Sequence, residues 1–305
     1  MRIAFFGLPI AALLLTRDGH DIVYAAASRD VPGLRRLRLR VGADKVVVRP
    51  DVDTTETFLR VCTAAPDLIV SWFWTTKLPS QILSLAPGIG LHPSLLPRHR
   101  GPDPYFWAID SGDKVTGVTA HRLDVEYDSG AIFACQQVPI DPSWNAWRLA
   151  RVLDRVSLGL LREVVRAYAQ DALSEGTAQD ESLATVAPEP SDDDLVIRWS
   201  WPARRIERRV RAAAPWPGAW TQIGEQVVSL LRVRVTADFP KTLRPGEAAV
   251  RADGVSVVRT GDEGLELLEG RDDETDEILT THDLARRVEL AQGDPSAIAQ
   301  GEAIS

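Results

Sequence analysis

Two stretches of this 305-residue chain concentrate side chains that can move protons. The first is Gly90-Leu91-His92-Pro93-Ser94-Leu95-Leu96-Pro97-Arg98-His99-Arg100-Gly101. The second, Thr116 to Ala134 (TGVTAHRLDVEYDSGAIFA), holds an acidic turn from Asp124 to Ser129 ahead of Gly130. Histidine can donate a proton near neutral pH, and a carboxylate beside it orients the ring and stabilises its charged form. His92 and Asp128 are therefore candidates for paired acid–base work. Each also has a plainer explanation, the histidine as a hydrogen-bonded ring and the aspartate as a turn residue before Ser-Gly. His20, His99, His121 and His282 are scattered without ligand spacing, so no metal site is expected. Cys62 and Cys135 sit in apolar contexts and are expected to be buried small hydrophobes, too few for a disulfide framework.

The elements that must position these residues follow from the hydrophobic pattern. Arg2 to Phe6 reads as a strand, Pro9 to Arg17 as a helix closed by Gly19, and Asp21 to Ala26 as a second strand. Lys45 to Val48, a helix from Thr54 to Ala65 and the apolar run Leu68 to Val70 repeat the alternation, which predicts a Rossmann-like, doubly wound, mainly parallel α/β sheet. Gly7 followed by Pro9 is not a GxGxxG turn, so NAD and FAD are not expected. Gly117 to Arg122 and Gly130 to Val138 read as further strands. From Ala146 to Tyr168 the stripe Leu149, Leu153, Val156, Leu160, Val164, Ala167 predicts one long helix.

Composition then shifts. Residues 171–195 hold eight acidic side chains, two prolines and no Lys or Arg, the signature of a solvated connector. This predicts a catalytic domain over 1–170, an acidic linker over 171–195, a second domain over 196–291 and a flexible tail over 292–305. Trp201 to Ala213 reads as a helix, and short alternating runs after it predict a small β-barrel-like (OB-like) domain.

The bulk numbers narrow the function classes. With 45% hydrophobic and 26% charged residues the chain is an ordinary globular protein, and no apolar stretch reaches the roughly 20 residues of a membrane span. No membrane partner and a cytoplasmic location are expected. A net charge of −8 argues against broad non-specific nucleic-acid binding, while local basic patches stay open.

The HPSLLP run, Arg100-Gly101 after it, and Asp128-Ser129-Gly130 downstream closely resemble the signature of formyltransferases that use 10-formyltetrahydrofolate. Pro66 to Pro79 (PDLIVSWFWTTKLP) resembles the family's folate-pocket loop, and Arg209 to Trp220 (RVRAAAPWPGAW) resembles the C-terminal domain of methionyl-tRNA formyltransferases and some nucleotide-sugar formyltransferases. The resemblance implies transfer of a formyl group to an acceptor amine. His92 would be the general acid, and Asp128 would tune it and accept the departing proton. Folate contacts would come from Thr76, Lys77 and Leu78, from Ser94, Leu95, Leu96 and Pro97, and from Asp124, Val125, Glu126 and Tyr127. Trp72, Phe73 and Trp74 could stack on a pterin or pack in the core.

One position departs from the family pattern. Gly90 stands where the resemblance expects a catalytic asparagine, and one lost oxyanion donor typically costs about 10²- to 10³-fold in turnover. Three accounts stay open: a backbone N–H or water replaces the amide, a side chain such as Asn145 or Ser94 does, or the protein has moved to a less demanding reaction or lost activity, as a folate-binding homologue with reduced or altered catalysis. If the family geometry is otherwise intact, Gly90→Asn is expected to raise transfer.

The acceptor is read from charge. Arg204, Arg205, Arg208 and Arg209 share one predicted helix, and residues 196–260 carry twelve Lys or Arg against five acidic residues. These arginines are candidate acceptor-phosphate contacts, or partners of the acidic linker and tail. A second basic run, Arg35, Arg36, Arg38 and Arg40, falls where the tRNA-specific enzymes carry a longer basic loop. The two clusters and the second domain point to initiator tRNA, and the short loop points to a nucleotide-linked amino sugar or another small amine. Nothing in the sequence fixes the oligomeric state.

Overall fold

In the computed structural model, residues 1–292 are described; the expected tail beyond Gln292 lies outside them. The N-terminal alternation folds as expected. It runs β1 (Arg2–Gly7), α1 (Pro9–Arg17), β2 (Asp21–Ala27), α2 (Leu34–Val41), β3 (Val46–Val48), α3 (Thr55–Ala64), β4 (Leu68–Trp72), α4 (Ser80–Leu83), β5 (Gly88–His92), α5 (Pro104–Asp110), β6 (Val115–Arg122), β7 (Ile132–Pro139) and α6 (Ala146–Ala169). Pro9 opens α1 where its missing N–H costs nothing, and the Thr54 hydroxyl accepts from the Thr57 N–H to cap α3.

The seven strands form one sheet in the order β3-β2-β1-β4-β5-β6-β7. The first five pair in parallel, and β6 and β7 join antiparallel. Because β1 and β4 are covered on both faces, they read as continuous apolar runs. Their side chains meet β2 and α3 in a core of Phe6, Tyr24, Val61, Ile69 and Ile82.

Helix α2 is a local surprise. The sequence shows only a basic run there, yet Leu34 and Leu37, three residues apart, turn inward and hold a two-turn helix whose arginines at 35, 36, 38 and 40 are exposed.

After α6 come α7 (Asp192–Leu195), α8 (Ala203–Ala213), β8 (Ala219–Ile223), β9 (Gln226–Thr236), β10 (Ala248–Val250), β11 (Ser256–Arg259), β12 (Gly264–Asp272), β13 (Ile278–Thr280) and α9 (Thr281–Gln292). These strands form an antiparallel sheet in the order β10-β11-β12-β9-β8, with β13 added on β12.

Contacts divide the chain into two compact units that interleave in sequence. The first holds residues 1–104, 115–139 and 151–188, and the second holds 105–114, 140–150 and the residues from 189 onward. The expected free connector over 171–195 is therefore corrected. Residues 171–188 are built into the first unit, where Thr177 bridges Ile132 and Val186 bridges Arg100. Composition alone missed this because the anchoring bonds use backbone groups, which carry no residue signature. Residues 191–194 are ordered as well, by a capping box in which Ser191 and Asp194 exchange side-chain and backbone bonds.

Within the second unit, α8 buries Ile206, Val210 and also Arg209, whose guanidinium forms a two-point ion pair with Asp110 of α5 at 2.7 and 2.9 Å. Both side chains are at most 10% exposed. Removing one partner strands a buried charge, so Asp110→Ala should lower the unfolding free energy by about 3–5 kcal/mol in denaturant titration. A change below about 1 kcal/mol, the range of a surface pair, would contradict that burial.

Candidate active site

Strand β5 lies between parallel β4 and antiparallel β6, so its last residue, His92, is buried at the C-terminal end of the parallel strands. That edge of an open α/β sheet is where ligands bind. Asp128 comes from the turn between β6 and β7. Its backbone lies in the left-handed region at φ 53°, which aspartate tolerates better than most residues. Gly130 closes the turn, because a Cβ there would stand 2.1 Å from the Arg122 carbonyl oxygen.

The two expected partners meet. His92 Nδ1 lies 3.4 Å from Asp128 Oδ2, and its Nε2 lies 2.7 Å from the His99 carbonyl oxygen. A carbonyl only accepts, so Nε2–H donates to it and Nδ1 is the ring nitrogen that faces the carboxylate. The same Asp128 Oδ2 accepts from the Gly101 N–H at 3.0 Å, which ties the carboxylate to the end of the HPSLLP segment. Phe73, His99 and Asp128 are all non-glycine residues with positive φ, and such strain gathers at functional sites.

A residue that sequence reasoning passed over, Gln179, holds this turn, with Arg100 behind it. Gln179 donates through Nε2 to the carbonyls of Asp128 and Gly130 at 2.7 and 2.8 Å. Its Oε1 accepts from Arg100, and Arg100 also pairs with Glu181. Arg100 stands in the quoted motif. Gln179 lies in a segment that reads as acidic coil and gives no signal of its own.

The expected folate segments gather as follows. Lys77 donates to Glu126 at 2.9 Å and lies over the Tyr127 ring, joining the Thr76–Leu78 loop to the Asp124–Tyr127 turn. Thr76, Asp124, Val125 and Tyr127 are exposed, whereas Leu78 is buried in the core. In the Ser94–Pro97 segment, the Ser94 hydroxyl donates to the Arg98 carbonyl, the Leu96 N–H donates to Thr119 Oγ1, and Leu95 and Pro97 are half-buried. Of the aromatic run, Trp72 is core, its indole N–H donating to Ser157, and Phe73 packs edge-on against it. Trp74 packs edge-on against Phe6, and both the Trp74 indole N–H and the Tyr24 hydroxyl are buried without a hydrogen-bond partner.

Position 90 is filled by a neighbour. Gly90 pairs directly with His121 across the strands, and a Cβ at 90 would stand 2.8 Å from Leu123 Cδ2 and 2.9 Å from His121 Nε2. An asparagine there would press on the Leu123 and His121 side chains, which would have to shift to admit it. Ser94 is spent on Arg98, and Asn145 caps α6 by accepting from the Arg148 N–H. Burial holds the His121 imidazole below the usual histidine range despite the pull of Asp128.

The candidate acceptor arginines of α8 divide. Arg204 is exposed beside Glu207, Arg205 is exposed over the Trp201 ring, and Arg208 is half-buried and donates to the Asp110 carbonyl. Arg209 is removed from the surface by Asp110, which corrects its candidacy as a phosphate contact; its partner is in α5, not in the acidic segment. The cysteine expectation is corrected too, since Cys62 and Cys135 are both exposed.

Comparison with known proteins gives the family. Residues 45–165 match the formyl transferase domain and residues 191–288 match the formyl transferase C-terminal domain. The chain belongs to the formyl transferase family. It is 36% identical over 285 residues to the methionyl-tRNA formyltransferase of Chloroflexus aurantiacus, covering 88% of this chain and 91% of that one. It is 33% identical over 310 residues to the methionyl-tRNA formyltransferase of Roseiflexus castenholzii, covering 96% and 98%. Among solved structures it resembles HypX from Aquifex aeolicus in complex with tetrahydrofolic acid, with a TM-score of 0.64 at 20% identity over 93% of this chain. This chain spans about half of the HypX chain, 46%. It also resembles the sugar 3N-formyl transferase WlaRD, with a TM-score of 0.64 at 14% identity, covering 87% of this chain and 96% of that one. At these identities the structural likenesses speak for the fold. No helix among the described residues is long and apolar enough to cross a membrane.

Gln179→Leu keeps the volume and removes every bond that Gln179 makes. It should cost about 1–3 kcal/mol of unfolding free energy, the penalty for leaving enclosed carbonyls without donors. Turnover should fall with it, because the Asp128 turn loses its tether; an unchanged denaturation midpoint and unchanged rate would contradict this role.

Proposed function

We propose that this chain transfers a formyl group from 10-formyltetrahydrofolate to the α-amine of methionyl-tRNA. The observation that carries the reading is the His92–Asp128 pair at the C-terminal end of β5, in a chain whose two domains are both of the formyl transferase kind. The reduced folate supplies the activated one-carbon unit. Its fit is supported by the exposed Lys77–Glu126–Tyr127 bridge. The unpartnered Trp74 indole N–H and Tyr24 hydroxyl beside Phe6, in an aromatic cluster suited to a flat ring, support it too.

In the reaction the acceptor nitrogen bonds to the formyl carbon, the bond from that carbon to the folate nitrogen breaks, the amine loses a proton and the folate nitrogen gains one. Asp128 takes the amine proton. His92, with Nε2–H fixed on His99, holds or returns a proton at Nδ1 in contact with Asp128 Oδ2. His92→Asn and Asp128→Asn should each lower turnover by about 10²- to 10⁴-fold while leaving folate affinity nearly unchanged, as measured by steady-state kinetics and calorimetry. Loss of folate binding in step with turnover would assign the pair to binding instead.

The tRNA acceptor is supported by sequence likeness that runs through both domains and by the charge of α2. Arg35, Arg36, Arg38 and Arg40 are exposed, and none of them forms a salt bridge among the described residues. Four such cations can release counterions from a phosphate backbone. Binding of initiator tRNA should then weaken steeply with salt, and each of these arginines that touches a phosphate should, when changed to alanine, lower the slope of log K against log salt by about one. A shallow slope unaffected by all four substitutions would turn the reading toward a nucleotide-linked amino sugar, which has only its two phosphates to offer.

A further inference from the structure

His121 is the titratable side chain of the site to which the reaction as described gives no task. It lies in β6 opposite Gly90 of β5 and is only 3% exposed. Its Nδ1 is 2.8 Å from the Arg122 carbonyl oxygen, so Nδ1–H donates there and the neutral ring carries its lone pair on Nε2. That nitrogen faces Asp128 Oδ1 at 3.5 Å, while Asp128 Oδ2 faces His92 Nδ1 at 3.4 Å. His92 is oriented in the same way, its Nε2–H fixed on the His99 carbonyl.

The carboxylate therefore stands between two imidazole nitrogens whose partner nitrogens are already committed as donors. With Asp128 ionised and both rings neutral, acceptor would face acceptor on both sides. A single extra proton relieves one contact and leaves the other nitrogen free to receive the next. The charged and titratable groups acting on His121 are Asp128, which favours its protonation, and His92 and Arg100, which oppose it. Burial opposes it further, which keeps His121 Nε2 the nitrogen left open to receive a proton. Room for this ring exists because position 90 has no side chain.

We propose that Gly90 and His121 are a matched pair, the glycine admitting an imidazole that positions Asp128 and receives the proton Asp128 takes from the acceptor amine. The amine N–H bond breaks with its electrons staying on nitrogen, the proton passes to Asp128 Oδ1, and His121 Nε2 takes it up as imidazolium beside the restored carboxylate. His121 acts through Asp128 and is thus a positioning residue. The inference rests on the formyl-transfer reading above, so its test includes an arm that needs no turnover.

Glutamine at 121 can still donate to Asp128 but cannot take up a proton. His121→Gln should lower kcat by about 100-fold with the folate KM little changed. It should also move the titration midpoint of the His92 ring, followed by NMR, by about half a pH unit or more, because the three groups titrate together. Gly90→Ala should impair the parent by pressing on the ring, and should cost clearly less in a His121→Ala background, where only its contact with Leu123 remains. If the parent transfers no formyl group, the reading of function fails, and the His92 titration alone still decides this proposal. An unmoved His92 midpoint in folded His121→Gln, an undiminished kcat, or simply multiplying effects of Gly90→Ala and His121→Ala would overturn it.

Discussion

The Asp128 carboxylate is the constraint around which this site is organised. A carboxylate taken largely out of water must be matched atom by atom, and here one oxygen meets His92 and the Gly101 N–H while the other meets His121. Holding it there requires a left-handed backbone at Asp128, a glycine at 130 and the Gln179 amide across both carbonyls of the turn. Arg100 and Glu181 then hold Gln179 and the 171–188 segment in place. The ends of strands β5 and β6 and a segment some fifty residues downstream in sequence, 51 between Gln179 and Asp128, therefore converge on one side chain.

Much of this was legible in the sequence. Apolar runs without alternation marked β1 and β4, and the three-and-four spacing from Leu149 to Ala167 marked α6 almost to its last residue. The HPSLLP and Asp-Ser-Gly segments pointed to His92 and Asp128, and the structure brings the two together. What stayed hidden depends on register and on docking. His121 reads as an isolated histidine until β6 is laid against β5 and places it opposite Gly90. Gln179 reads as coil because its role lies in bonds to carbonyls that any residue could present. On α8, four-residue spacing groups Arg205 with Arg209, yet only Arg209 is drawn inside, by a carboxylate on α5 that no local pattern reveals.

The arginines illustrate how little a charge count says about function. In the basic stretch 196–260, Arg209 is taken up by the buried carboxylate of Asp110, and Arg234 and Arg251 by that of Glu266. Such cations are spent within the fold. Those of α2 are not, because the helix turns only Leu34 and Leu37 inward. An acidic protein of net charge −8 can thus still present one concentrated cationic face.

We propose that a site built on Asp128 passes a formyl group to an amine. The most direct measurement is mass spectrometry of the aminoacyl end of initiator methionyl-tRNA after incubation with 10-formyltetrahydrofolate and either the parent protein or Asp128→Asn. A formyl adduct on the methionyl α-amine is expected with the parent and almost none with the variant. A parent protein that binds the folate yet leaves no adduct on this or any amine offered, or a variant that forms it at the parent's rate, would contradict it.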